Sequence, residues 1–144
     1  DGADCGDCTV VPNPSDSAHT YLFCTMTRTW DGAAANCATH GYHLANLETE
    51  AEHGAVWMAA QDVRRNQNWW FGLGYTTQWE WTDGTAAYPS DPTGHDGWAA
   101  DEPRKDTCGF LWWRQGWSPM TMSGGWKAAD NCDAMLLSVC EAGD

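Results

Sequence analysis

The residues with chemistry to offer in this 144-residue chain are concentrated between Asp91 and Lys127. Asp91, Asp96, Asp101 and Glu102 place four carboxylates in one loop, and a hard divalent cation such as calcium takes roughly six to eight oxygens of that kind. Two of Asp101, Glu102 and Asp106 are also candidates for the acid and base of glycoside hydrolysis, a reaction that needs two carboxyls with separated pKa values. Arg104 and Lys105 stand between them, so the group reads as a neutralised cluster, and the chain as a binding protein rather than an enzyme. Arg104, Lys105, Arg114 and Lys127 are four of only seven basic residues. Trp117, with Arg114 and Gln115 beside it, is the candidate stacking platform: an aromatic face for a sugar ring, flanked by hydrogen-bonding neighbours.

Other chemistries find no support. There is no Gly-x-Ser-x-Gly turn, phosphate loop or dinucleotide fingerprint. His40, His43 and His53 span a helix end and a connector, where capping or surface roles are the expectation rather than zinc. A formal charge of −13, from 20 acidic and seven basic residues, argues against a protein that tracks nucleic-acid phosphates. No apolar run approaches about 18 residues, so no membrane span is expected. The chain opens on Asp1-Gly2-Ala3-Asp4, without a basic flank and apolar run, as expected of a mature form. Seven cysteines without a zinc-ribbon pattern point to an oxidising compartment, hence a secreted or extracellular protein. Cys5-Gly6-Asp7-Cys8 has redox-motif spacing, but bridge formation is the expectation for an exported chain. The odd count leaves one cysteine over, either a free or capped thiol in a tail or an interchain bridge that would make a disulfide-linked dimer. Eleven Trp residues exceed what core filling needs, so some are expected to be exposed, to a flat apolar ligand or a protein partner.

The length fits one domain, divided here into a tethered tail over 1–20, rather than a structured element, and a folded body over 21–144. Tyr21-Leu22-Phe23-Cys24 predicts the first strand. Thr29 caps a helix with inner face Trp30, Ala33, Ala34, Cys37 and Ala38, ended by Gly41. After the connector His43 to Leu47, Thr49-Glu50-Ala51-Glu52 is a capping box opening a helix to about Val63, with Ala55, Met58, Ala59 and Asp62 on one face and Val56 on another. Trp69-Trp70-Phe71-Gly72-Leu73 predicts a strand buried on both faces. Trp79-Glu80-Trp81 alternates as a half-buried strand before the turn Asp83-Gly84. A long loop fills 86–106, and strands resume at 108–113, at Trp126 and at 136–141. Alternation sends Phe110 and Trp112 to one face and Leu111 and Trp113 to the other, exposing one of the adjacent Trp pair.

The sequence resembles the C-type lectin-like domain family from Tyr21 to Glu141. The family's Trp-x-x-Ala-x-x-x-Cys helix is similar to Trp30-Asp31-Gly32-Ala33-Ala34-Ala35-Asn36-Cys37, and its His-Leu-Ala plus acidic helix start to His43-Leu44-Ala45 and Thr49 to Glu52. Its Trp-Ile-Gly-Leu strand resembles Trp70-Phe71-Gly72-Leu73. Its Trp-x-Trp-x-Asp-Gly turn resembles Trp79 to Gly84, and its closing Val-Cys-Glu resembles Val139-Cys140-Glu141. The resemblance implies an α+β, disulfide-braced fold with two helices, mixed antiparallel sheets and a long irregular loop. It further implies bridges Cys37–Cys140 and Cys108–Cys132, with Cys24 left to pair with Cys8 or Cys5.

Sugar-binding members hold calcium with an acid-Pro-Asn or Gln-Pro-Asp triplet, an acid two residues before the third cysteine, and a Trp-Asn-Asp triplet. This chain departs from that pattern. It has Glu102-Pro103-Arg104, keeps Asp106 before Cys108, and has Trp126-Lys127-Ala128. The expectation is that Arg104 or Lys127 takes the calcium position as an attached cation paired with Glu102 and Asp106; a different calcium site built from the loop acids is the alternative. Pro103 is expected in the ordinary trans form. The ligand face expected from the resemblance and the departures is Glu102, Arg104, Asp106, Arg114, Trp117 and Lys127. Two functions follow as expectations: glycan binding of an atypical kind that can dispense with calcium, or a protein-interaction and adhesion module with no sugar ligand.

Overall fold

The computed structural model describes residues 4–13, 18–99, 101–113 and 125–142. The elements run β1 (Asp4–Cys5), β2 (Cys8–Pro12), β3 (Thr20–Arg28), α1 (Trp30–Thr39), β4 (His43–Leu44), α2 (Glu50–Val63), β5 (Trp69–Tyr75), β6 (Trp79–Glu80), β7 (Cys108–Trp112), β8 (Gly125–Ala128) and β9 (Leu136–Ala142). They form one mixed sheet in the order β1-β2-β3-β9-β5-β7-β8, with β4 on β9 and β6 on β5. Only β5 and β9 pair in parallel among the described strands.

β5 divides the core because successive side chains leave a strand on opposite faces. Trp69, Phe71 and Leu73 join Phe23, Leu47, Val56, Trp57 and Trp126 in one cluster. Trp70 enters the other with Leu22, Ala33, Leu44 and Phe110. Trp69 and Trp70 are fully buried; at about 200 Å² each and about 25 cal/mol per Å², burial favours folding by at most roughly 5 kcal/mol apiece, before entropy. Gly72, two residues further along β5, is a glycine for a steric reason. Its N–H donates to the Ala45 carbonyl at 2.6 Å, and a Cβ there would stand 2.7 Å from the Leu44 carbonyl oxygen and from Asn46 Oδ1.

Both helix starts follow the sequence. Thr29 Oγ1 accepts from the Gly32 N–H at 3.0 Å and Thr49 Oγ1 from the Glu52 N–H at 3.1 Å, satisfying donors that a first turn leaves open. The return half of the capping box differs. Glu52 Oε1 accepts from Glu48 N–H at 3.3 Å, one residue ahead of the cap, and Oε2 from the Tyr21 hydroxyl at 2.8 Å. The buried stripe of α2 is Val56, Trp57 and Ala60, not the Ala55–Met58–Ala59–Asp62 face, and Met58 is 55% exposed. The bulk of Trp57 sets the rotation of the helix, since it buries the largest apolar surface in that segment.

Residues 1–20 are not merely a tail: β1 and β2 form a hairpin whose second strand pairs with β3. Asp7 fixes this hairpin, ion-paired with Arg28 at 2.9 Å and accepting from the Met26 N–H at 2.7 Å. Cys8–Cys24, Cys37–Cys140 and Cys108–Cys132 are bonded, which settles the partner of Cys24 as Cys8. The expected exposed Trp does not occur among the ten described; among the described residues the exposed large apolar side chains are Met26, Met58 and Met135. Trp30 and Trp70 spend their indole N–H groups on the Phe71 and Arg28 carbonyls, so these rings join strands to α1 and β3. No described helix is long and apolar enough to cross a membrane.

Candidate functional site

The long loop is held against β8 by backbone bonds. The Trp126 N–H donates to the Gly97 carbonyl and the Ala99 N–H to the Trp126 carbonyl, a parallel bridge between Trp98 and Trp126. Trp126 is the hub, packed by Phe71, Trp81, Trp98, His53 and His95. Trp98 is structural, as its Nε1–H donation to the Tyr88 carbonyl at 2.7 Å shows. This anchorage delivers residues 101–106 beside Lys127 and Ala128.

Glu102 is the centre of that meeting. Its side chain is only 5% exposed, and Oε1 accepts from the Arg104 and Ala128 N–H groups at 3.2 Å each. The Arg104 guanidinium lies 3.9 Å from Glu102 Oε2 and 3.9 Å from Asp101 Oδ2. The Glu102–Pro103 bond, expected trans, is cis. Of the two cations proposed for the calcium position, Arg104 is the one near Glu102. Lys127 instead places its ammonium 4.5 Å from the centre of the Trp112 ring, a cation–π contact. Asp106 is exposed, and among the described residues no ion pair joins it to either cation. Lys105 pairs with Asp130 at 3.7 Å. Arg114 and Trp117 lie outside the described residues.

The residues present do not fit the calcium of sugar-binding relatives. Both N–H groups occupy one oxygen of Glu102, a guanidinium flanks the other, and Lys127-Ala128 offer an ammonium and a methyl where oxygen ligands would stand. Nor do Asp91, Asp96, Asp101 and Glu102 converge on one point among the described residues. Asp91 Oδ1 accepts from the Thr93 hydroxyl and N–H, which hold its carboxyl below the usual range, and Asp96 Oδ1 accepts from the Trp98 N–H. These acids close local turns. Trp112 and Trp113 are both half-buried rather than one buried and one exposed, with Phe110 and Trp112 in one cluster and Leu111 and Trp113 in the other.

Two groupings escaped the sequence reading. His53 Nδ1 and His95 Nε2 are 3.0 Å apart, joining α2 to the long loop. At the other end of α2, His19, Glu52 and Glu141 converge. Residues 122 positions apart in sequence carry no local signal of this contact.

A sheet split by one tryptophan-rich strand, two flanking helices, three bridges and an anchored irregular loop define a small disulfide-braced α+β domain. The chain belongs to the Lectin C-type domain family, which matches residues 26–142. No curated protein matches it in sequence. Among solved structures it is similar in fold to an SPL-1–GlcNAc complex, at 18% identity and TM-score 0.73 with 88% of each chain covered. It is likewise similar to the Ca2+-independent C-type lectin SPL-2 from Saxidomus purpuratus, at 19% identity and TM-score 0.72, covering 88% of this chain and 87% of that one. A calcium-independent type II antifreeze protein shares the fold at 22% identity and TM-score 0.64, covering 96% of this chain and 93% of that one.

Proposed function

We propose that this chain is a secreted recognition domain that binds carbohydrate in an atypical, calcium-independent way. The ligand face is Glu102, Arg104, Asp106 and Lys127, together with Arg114 and Trp117 from the segment between β7 and β8. The observation that carries this reading is the state of Glu102: a largely buried carboxylate whose charge is met by two peptide N–H groups and a guanidinium. Such a carboxylate needs no ion to be stable, and the flanking exposed cation and acid offer donors and acceptors to sugar hydroxyls. The folds of a lectin described as Ca2+-independent and of a GlcNAc complex agree with this assignment. The three bridges agree with an extracellular setting.

The experiment is a glycan array run in calcium and again in chelator. Binding to related sugars at equal strength in both supports the proposal; binding that disappears in chelator and returns with calcium refutes it. A protein-interaction module is the second reading, favoured by the exposed Met26, Met58 and Met135, since Met is an adaptable contact residue. Silence across the array, with saturable binding to a defined cell-surface protein, would establish that reading instead.

A further inference from the structure

The six cysteines of Cys8–Cys24, Cys37–Cys140 and Cys108–Cys132 leave Cys5 as the seventh, and its place in the sheet is specific. Cys5 is the register partner of Cys8 across β1 and β2, and Cys8 is the register partner of Cys24 across β2 and β3. Three cysteines on three neighbouring strands thus form one transverse row, and residues directly opposite one another in an antiparallel pair share a face of the sheet. We infer that Cys5 exchanges with the Cys8–Cys24 bridge. The Cys5 thiol gives its proton to solvent and attacks Cys8 Sγ as the thiolate. A Cys5–Cys8 bond forms, the Cys8–Cys24 bond breaks, and Cys24 leaves as a thiolate that takes up a proton, with no net oxidation or reduction.

The strand order fixes which sulfur is attacked. β2 lies between β1 and β3, so in the row Cys5 stands on the side of Cys8 opposite Cys24. Displacement at a disulfide sulfur brings the incoming sulfur in opposite the outgoing one, which is the order this row provides. The product bond is within reach of the backbone. Opposed Cα atoms in an antiparallel pair are about 4.5 or 5.5 Å apart, inside the range of roughly 4.4–6.8 Å over which disulfides form. The turn Gly6-Asp7 that holds the two positions opposite has Gly6 at φ 67°, a left-handed conformation that glycine takes without steric cost.

The surroundings favour attack from within the sheet over attack from solvent. Cys8 and Cys24 are 1% and 0% exposed, closed to dissolved thiols, whereas β1 is the edge strand of the described sheet. The Asn36 side-chain amide donates to Cys8 Sγ at 3.7 Å and to Cys24 Sγ at 3.6 Å, so a donor already faces the sulfur that becomes the thiolate. The adjacent Asp7 carboxylate, which would oppose that charge, is ion-paired with Arg28 at 2.9 Å. Exchange removes the covalent tie between the hairpin and β3 and leaves the backbone ladder and the Asp7–Arg28 pair to hold them together. Cys5 is thereby a thiol-operated release for the N-terminal hairpin, separate in residues from the proposed ligand face.

The test follows the full native chain at about pH 8, where a thiol of ordinary pKa, about 8.5, is partly ionised. After addition of dithiothreitol, samples are quenched in acid, alkylated with N-ethylmaleimide and cut before aspartate, which places Cys5, Cys8 and Cys24 on peptides 4–6, 7–15 and 16–30. An intramolecular thiol acts at an effective concentration in the millimolar range, so against roughly 0.1 mM reagent the Cys8–Cys24 bridge opens at least about 10-fold faster in wild type than in Cys5→Ser. Cys37–Cys140 opens at the same rate in both. The expected intermediate joins peptide 4–6 to 7–15 and carries the maleimide on Cys24. Cys24→Ser, which removes the leaving group, closes the Cys5–Cys8 bond within one chain on air oxidation. Equal opening rates in wild type and Cys5→Ser, unbridged Cys5 and Cys8 in oxidised Cys24→Ser, or a starting protein in which Cys5 already joins two copies would each overturn the inference.

Discussion

Replacing Glu102 by alanine separates the contributions that hold the loop over residues 101–106. The substitution removes the acceptor of two N–H groups, Arg104 N and Ala128 N, each at 3.2 Å. A hydrogen bond to a charged group contributes about 1.5–3 kcal/mol, and at this distance the lower end applies, giving about 3 kcal/mol for the pair. The Arg104 ion pair contributes far less. It spans 3.9 Å, its guanidinium is 69% exposed, and exposed pairs are worth about 0–1 kcal/mol. The peptide donors therefore dominate. At about 3 °C per kcal/mol for a chain of this length, Glu102→Ala lowers the melting temperature by roughly 9 °C, Glu102→Gln by roughly 3 °C because an acceptor remains, and Arg104→Gln by under about 3 °C. Scanning fluorimetry on metal-stripped protein, with and without millimolar calcium, measures all three. If Arg104→Gln cost as much as Glu102→Ala, or if calcium raised the melting point of the wild type and not of Glu102→Ala, the account of Glu102 as a carboxylate satisfied by peptide donors would be wrong.

Two further outcomes are expected. Gly72→Ala forces a methyl to within 2.7 Å of the Leu44 carbonyl oxygen, and because backbone cannot rotate away as a side chain can, the urea midpoint falls by the equivalent of about 3 kcal/mol; an unchanged midpoint would show that β5 approaches the 44–46 connector less closely than described. Burial alone would raise the Asp7 carboxyl, but the Arg28 and Met26 hydrogen bonds outweigh it and hold the folded value below the usual range. A depressed folded pKa stabilises above the unfolded value and is lost as pH falls through the folded one, so wild type loses stability below about pH 4. Asp7→Asn lacks that component, and amide exchange at Met26 reports it; identical pH profiles for the two proteins would remove Asp7 from the account.

Much of the scaffold could be read from the residues because its causes are local or periodic. Thr29 and Thr49 are caps in sequence and caps in space, and the apolar run from Trp69 to Leu73 is buried on both faces, as its pattern required. The errors arise where tertiary contacts decide. The rotation of α2 follows from Trp57 entering the core, which a count of small apolar residues did not weigh. The hairpin of β1 and β2 depends on pairing with β3 and on the Asp7–Arg28 contact, neither visible in a stretch rich in Ser, Asp and Pro. At the proposed ligand face, spacing placed Glu102 and Arg104 together, but it could not tell that Lys127 covers Trp112. The convergence of His19, Glu52 and Glu141 lay beyond reading because residues so far apart in sequence carry no local signal of their contact.

The Cys37–Cys140 bond has a mechanical consequence. Tension applied between the two ends of the described chain crosses from Cys8 to Cys24, runs through the end of β3 and α1 to Cys37, and there crosses directly to Cys140 and leaves by the end of β9. Residues 38–139 hang from that crossing as a closed covalent ring, off the line of pull. Glu102 and its neighbours belong to the ring, so a tethered copy could be dragged by its ends while the surface proposed to meet a ligand lies off the covalent path of the load.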